Sequence, residues 1–294
     1  MALQQTYFVR AALLQAFPGL DVEVKEILTR GDTTLNVSLP SLGGKGLFTA
    51  ELEEELLAES IDIAVHSLKD LPTEEDPRFE LGAIMQRVAS RDVLVSKDNL
   101  QLADLAPGSV IGTSSPRRET QLRRLRPDLQ FKDIRGNVDT RIRKVHLGEY
   151  AATVLAEAGL TRIGLLSEAA QFFTPAEILP APGQGALAVQ CAAHRADVRE
   201  ILSRLNSSTT RLETVAERAF LKTLSAGCST PIGALATVQG EKLALQTRCL
   251  ALDGGRCIEL AGECRLGADS LVQAFGLGAD LATQALAKGF RELD

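Results

Sequence analysis

The amino-acid sequence predicts an α/β fold of two domains, followed by a small α+β domain with a three-stranded antiparallel sheet. Three observations carry this. Helical and strand periodicities alternate from the N-terminus to about residue 96. The alternation restarts near residue 109, after a loop over 97–108. Beyond residue 232, three strand-like runs follow one another across short turns and end in a helical pattern. At 294 residues and 45% apolar content, the chain can supply cores for two or three domains. The boundaries read as 1–88 with 184–205, then 92–180, then 208–294.

The first element is a helix, with Leu3, Tyr7, Ala11, Leu14 and Phe17 on one stripe. Pro18-Gly19 stops it. DVEVKEIL, residues 21–28, alternates like a strand. A helix is expected from about Gly46 to Ala58, facing inward through Leu47, Leu52, Leu56 and Leu57. IDIAV, residues 61–65, reads as a strand, followed by strands near 81–84 and 92–96. This rhythm favours a mainly parallel sheet. In the second domain, 109–112, 129–134 and 151–156 read as strands. Ser115-Pro116 opens a helix, and a basic helix over 137–147 ends at Gly148. GQGALAVQC, 183–191, is a strand, and two helices follow. The second starts at about Thr210, where Thr210 and Glu213 fit a capping box. Strands at 232–238, 242–250 and 256–261 precede a helix over 269–290.

Composition excludes several classes. The net charge of -6 argues against a global nucleic-acid footprint. No apolar run approaches the length of a membrane span, and the N-terminus lacks a basic region before an apolar core, so a cytoplasmic protein is expected. The five cysteines, at 191, 228, 249, 257 and 264, contain no CxxC, which argues against a disulfide framework or a zinc site. Charge is uneven, however. Residues 108–146 hold ten Arg or Lys against four acids, a local excess of six that calls for an anionic ligand.

Several residues could carry chemistry. Asp70, in HSLKDLP, follows a predicted strand end, where open α/β sheets place ligands. Lys69 favours an ionised carboxylate beside it, and Ser67 could hold a small polar ligand; a polar loop with a turn cap accounts for the same residues. GGKG, 43–46, has amides and Lys45 for an anion, or is a plain turn. GTSSPRR joins a strand to a helix start with three hydroxyls and paired Arg117 and Arg118, suited to carboxylates. RGNVDTR repeats the arrangement with Arg135 and Arg141. Cys228, in AGCSTP, sits in a glycine-flanked loop unlike a packing cysteine; it is a candidate nucleophile or attachment point. The other four cysteines read as packing residues, and His66 as a satisfied structural histidine.

TRGD (29–32), GGKGLFTAELE, DIAVHSLKDLP, IGTSSPRR, IRGNVDTR, PAPGQGALAVQC, ERAFL and GCSTPIG occur in this order across nearly the whole chain. Together they resemble the porphobilinogen deaminase (hydroxymethylbilane synthase) family. The resemblance implies two domains similar to periplasmic binding proteins and a third bearing a dipyrromethane cofactor on Cys228. It implies a transferase of heme and tetrapyrrole biosynthesis that joins four porphobilinogens head to tail, releasing ammonia, and frees 1-hydroxymethylbilane. Asp70 matches the catalytic carboxylate, which would stabilise the cationic azafulvene left when ammonia departs. Cys228, Lys69, Arg117, Arg118, Ser115, Arg141 and Asp32 are implied at the cofactor. Arg135, Arg162, Lys45, Ser67, Thr113 and Gln184 are implied at the substrate. No metal, nucleic acid or membrane is implied, and the protein is expected to be a monomer. Two rival readings are a non-enzymatic anion-binding protein and a nucleic-acid binder using 108–146. The family's opening strand, roughly IATRxSxLA, has no match ahead of MALQQTYFV. That departure leads to the expectation of a start upstream of Met1 or of an impaired paralogue, with weak activity from the chain as it stands.

Overall fold

The computed structural model describes residues 2–29, 49–74, 76–227 and 230–293, so Asp32, Lys45 and Cys228 lie outside the described residues. In chain order the helices are α1 (Ala2–Ala16), α2 (Ala50–Leu57), α3 (Pro116–Leu125), α4 (Val138–His146), α5 (Glu157–Arg162), α6 (Ala196–Ser203), α7 (Ser208–Thr223) and α8 (Ser270–Ala287). The strands are β1 (Ala64–Ser67), β2 (Phe79–Ile84), β3 (Asp92–Ser96), β4 (Val110–Gly112), β5 (Gln130–Lys132), β6 (Ala152–Ala156), β7 (Gln171–Phe172), β8 (Leu187–Ala192), β9 (Ile232–Gln239), β10 (Lys242–Leu250) and β11 (Cys257–Arg265). They form two units: Met1–Arg87 with Ala186–Arg211, and Val88–Gly185 with Leu212–Asp294.

In the first unit the sheet order is β1-β8-β2. Both pairings are antiparallel, contrary to the parallel sheet expected from the rhythm, because β8 runs opposite to both neighbours. The strand expected at 61–65 forms three residues later. His66 and Ser67 belong to it, paired with Ala188 and Leu187. Residues 20–29 carry no strand ladder among the described residues, although Leu20 and Val22 pack on the same core as Val9, Leu13 and Val189.

The inner face of α1 also differs from the expected stripe. Gln5, Val9 and Leu13 are buried, whereas Tyr7 is 47% exposed. The helix is apolar on several sides, so counting large side chains does not select a face. A polar residue decides it: Gln5 Nε2 donates to Ser67 Oγ at 2.8 Å, which turns the Gln5 face inward. On α2, Leu56 is buried and Leu57 exposed.

The second unit contains two sheets. The larger runs β5-β4-β6-β3-β7 and is mixed: β4 is parallel to β5 and β6, and β3 is antiparallel to β6 and β7. Leu94, Ile111, Leu122, Val154 and Phe173 fill the core on one side. The smaller sheet, β11-β10-β9, is antiparallel throughout. Its core joins Leu243 and Leu245 to Phe220 of α7 and Leu281 of α8. These sheets and helices make the α/β architecture with a small α+β portion at the C-terminus.

Helix α7 begins two residues before Thr210 and has a different cap. Ser207 Oγ accepts from the Thr210 amide at 3.3 Å, which is the N-cap geometry. The Thr210 hydroxyl instead accepts from the Arg87 amide at 3.0 Å, and Glu213 Oε1 from the Val238 amide at 3.2 Å. The expected capping box therefore does not form: tertiary backbone donors engage both side chains.

Candidate functional site

Strand β3 is buried along its whole length, yet it starts with a carboxylate. Asp92 is 0% exposed. Its countercharges come from the first turn of α3. Arg117 Nη1 donates to Asp92 Oδ2 at 2.7 Å; Arg118 Nη2 donates to Oδ1 at 2.7 Å and Arg118 Nε to Oδ1 at 3.0 Å. Burial alone would raise the Asp92 pKa. The charges of Arg117 and Arg118, with their hydrogen bonds, overcome that and hold it well below the usual carboxylate range. Two guanidiniums thus share one carboxylate, and the triad keeps a net positive charge.

The local sequence explains this placement. Thr113 closes β4: its amide donates to the Lys132 carbonyl at 2.9 Å, and its Oγ1 accepts from the Ser115 amide at 3.2 Å. Pro116 then occupies the first helical turn, with Ser115 at the cap position. The Ser115 hydroxyl makes no capping bond, and the Ser115 carbonyl accepts from the Arg118 and Glu119 amides. Arg118 uses its remaining donor, Nη1, on the Val154 carbonyl at 3.0 Å. Arg117 binds through Nη1 alone, to Asp92 and to the Leu179 carbonyl at 2.8 Å; its Nε and Nη2 make no hydrogen bond among the described residues.

RGNVDTR forms a second arginine site in the same unit. Gly136 adopts φ +109°, and a Cβ there would lie 2.6 Å from Thr140 Cγ2. The tight turn lets Arg141 Nε donate to the Gly136 carbonyl at 2.8 Å. Burial lowers the Arg141 pKa to about 10, and the charges of Arg118 and Arg135 push the same way. Arg141 has no acidic partner among the described residues. Arg162, on α5, donates from Nη2 to the Gly185 carbonyl at 2.8 Å, while its Nε is buried without a hydrogen-bond partner. Burial lowers its pKa as well.

Gln184 is fully buried. Its Nε2 donates to the Ser90 carbonyl at 2.7 Å and to Asp92 Oδ1 at 3.0 Å. It supports the carboxylate that holds the arginine pair. Asp92 is the residue that sequence reasoning missed. The available signal was an acid opening the apolar run DVLVS, a residue type that is rarely buried unless paired.

In the first unit, a single helical turn, Leu68–Asp70, follows β1. Asp70 is exposed at its end, and Lys69 is half-buried. The Ser67 oxygen accepts from Gln5, and its own proton has no acceptor among the described residues. His66 points the other way: it is buried, and its Nε2 lies 3.0 Å from Gln190 Oε1. Burial lowers its pKa to about 4, which fits the structural role read from the sequence. Cys191 and Cys249 are buried free thiols, and Cys257 and Cys264 half-buried ones. Among the described residues no cluster suited to a metal occurs, and no helix is long and apolar enough to cross a membrane.

The family models and the sequence relatives agree with one another. Residues 1–200 match the family described as "Porphobilinogen deaminase, dipyromethane cofactor binding domain", and residues 211–287 match "Porphobilinogen deaminase, C-terminal domain". The porphobilinogen deaminase of Roseiflexus sp. (strain RS-1) is 45% identical over 293 residues, covering 100% of this chain and 95% of that protein. That of Geobacillus kaustophilus is 47% identical over 270 residues, covering 92% and 86%. Among solved structures, the second substrate binding domain of a putative amino acid ABC transporter from Streptococcus pneumoniae superposes with a TM-score of 0.40 at 16% identity. It covers 75% of this chain and 84% of that one, and so loose a likeness carries no argument.

The family matches and the relatives define a transferase of tetrapyrrole biosynthesis. The chain belongs to the porphobilinogen deaminase family. Its activity is that of a hydroxymethylbilane synthase, with porphobilinogen as substrate.

Proposed function

We propose that the second unit's arginines hold the carboxylates of porphobilinogen and of the growing pyrrole chain, while Asp70 of the first unit stabilises the cation formed as ammonia leaves. The observation that supports this most is the surplus of guanidinium charge. Arg117 and Arg118 share Asp92, and Arg141 adds a cation whose pKa is lowered by burial and, after it, by the charges of Arg118 and Arg135. Buried cations of one sign are costly, and a ligand with several carboxylates relieves that cost.

A dipyrromethane group fits this donor set, since each of its two pyrroles carries two carboxylates. The orphaned Nε of Arg162 is a further donor for such an anion. Cys228 would hold the group through a thioether, with Lys69, Arg117, Arg118, Ser115, Arg141 and Asp32 around it. When bound, it supplies the pyrrole to which the first substrate is joined. Arg135, Arg162, Lys45 and Ser67 are the proposed substrate contacts. Thr113 and Gln184 act one step back, through the turn and the carboxylate that they hold. Asp70 orients pyrrole N–H groups. In this reading the C-terminal portion, 208–294, is a third domain that bears the cofactor.

We place the protein in the cytoplasm as a monomer that does not bind nucleic acid. The basic segment spends much of its charge internally, on Asp92, on Glu119 through Arg123 and on Asp128 through Arg126. Intact mass tests the assignment at Cys228. The purified protein should carry the mass of one added dipyrromethane, and C228S should lack it. An adduct retained in C228S, and lost in another Cys→Ser variant, would overturn the attachment site.

A further inference from the structure

Gln121, on α3, is 1% exposed and binds both the amide and the carbonyl of one residue, Leu179. Its Oε1 accepts from the Leu179 amide at 2.8 Å, and its Nε2 donates to the Leu179 carbonyl at 3.1 Å and to the Arg117 carbonyl at 3.0 Å. The Leu179 carbonyl is also the acceptor that, with Asp92, holds Arg117 Nη1. A second cation reaches the same group from the small sheet. Arg248 of β10 donates from Nη1 to Gln121 Oε1 at 2.7 Å. The same side chain binds the Glu177 carbonyl at 3.3 Å and the Ala176 carbonyl at 3.0 Å. Residues 176–180 are thus tied to β10 by a charged fork and to β9 by the backbone. The Ala234 amide donates to the Pro180 carbonyl at 2.9 Å, and Gly233 is close enough that a Cβ would lie 2.7 Å from the Leu179 oxygen.

We infer that Arg248 is a positioning residue for Arg117: through Gln121 it sets the Leu179 carbonyl that, with Asp92, aims the Arg117 guanidinium. The nitrogens thereby left to a ligand are Nε and Nη2. A shift of the 176–180 segment moves the Leu179 oxygen and rotates those donors away from the carboxylate they meet. Strand β9 of the same sheet begins four residues after Cys228. One rigid element therefore fixes both the segment after the attachment point and the arginine that meets the ligand's charge. No part of the relay needs Arg248 to touch substrate.

The inference rests on the reading that Arg117 binds carboxylates, and a double-mutant cycle separates the two. R248M keeps most of the stem and removes the donors. It should raise the KM for porphobilinogen about tenfold with kcat changed less than about twofold, and lower the fraction of purified protein bearing the covalent adduct. In an R117K background the same substitution should change KM less than about twofold, because its effect passes through Arg117. An unchanged KM in R248M, or the same tenfold rise in both backgrounds, would overturn the relay. If R117K alone leaves KM at the wild-type value, the carboxylate-binding reading of Arg117 fails instead. Q121M, which cuts the relay at its middle, should reproduce the KM effect. If R248M and Q121M both lose cooperative unfolding, the clamp is structural and the inference falls.

Discussion

Asp70 and Asp92 are two carboxylates set to opposite tasks by their surroundings. Asp92 is sealed beneath two guanidiniums, so its charge is spent on holding them. Asp70 is itself exposed at the end of a helical turn, where its charge is available to a passing cation. D70N keeps the shape and removes that charge. The loss of one such stabilising contact costs ~3–4 kcal/mol, or roughly 10²–10³ in rate. Single-turnover measurement on cofactor-loaded protein checks this, and a near wild-type rate in D70N would refute the role. His66, in the strand before that turn, titrates with the fold. Its folded pKa of about 4 lies below the ordinary histidine value, so the unfolded chain takes up the proton first. The stability it contributes is complete above about pH 6.5 and is lost as pH falls toward 4, at about 1.4 kcal/mol per pH unit. Urea midpoints between pH 7 and 4.5 should fall less steeply in H66Q than in the parent. An identical slope would show that folding does not depress the His66 pKa.

At the scale of elements, two glycines of α8 make opposite predictions. A Cβ on Gly278 would lie 2.2 Å from the Ala216 carbonyl oxygen and 2.8 Å from the Ala219 Cβ, so α8 meets α7 there almost backbone to backbone. A Cβ on Gly276 would meet nothing within 4 Å. G278A should therefore force the helices apart and cost about 1–3 kcal/mol or more. G276A should stabilise by up to about 1 kcal/mol, since glycine is a poor helix former. Thermal unfolding of the pair decides it, and equal effects would contradict the close approach. The same elements show what sequence patterns reveal. Strand 92–96 stands where its apolar run put it, buried along its whole length, and the basic helix forms over 138–146 with Ile142 and Val145 on its one buried face. The cap of α7 was not legible: Ser207 and Thr210 are both good capping types, and only the tertiary demands of the Arg87 and Val238 amides separate them. The inner face of α1 was hidden for a similar reason, since its register depends on Gln5 meeting Ser67, sixty-two residues away. At the site, the motifs marked the arginines but not their partner. Asp92 belongs to no glycine-rich or basic motif, and pairing across 25 residues leaves no local periodicity.

For the molecule as a whole, charge sets how an anionic substrate arrives. The chain carries a net charge of -6, which repels a dicarboxylate at long range, while residues 108–146 hold an excess of six positive charges. Of the ten cations behind that excess, Arg123 and Arg126 are paired with Glu119 and Asp128. Arg117, Arg118, Arg135 and Arg141 are among the others, and there the field attracts. Raising salt from about 20 mM to about 500 mM shortens the screening length from roughly 20 Å to roughly 4 Å. The attraction then reaches only to contact distance, and kcat/KM for porphobilinogen should fall several-fold. Arginines already seated against the bound carboxylates are screened far less, so kcat should change by less than about twofold. The two quantities measured on one cofactor-loaded preparation across a KCl series separate capture from chemistry. A kcat/KM that stays flat while kcat falls would mean that the charge acts on the bound intermediate rather than on arrival, and the capture role assigned to the basic segment would be wrong.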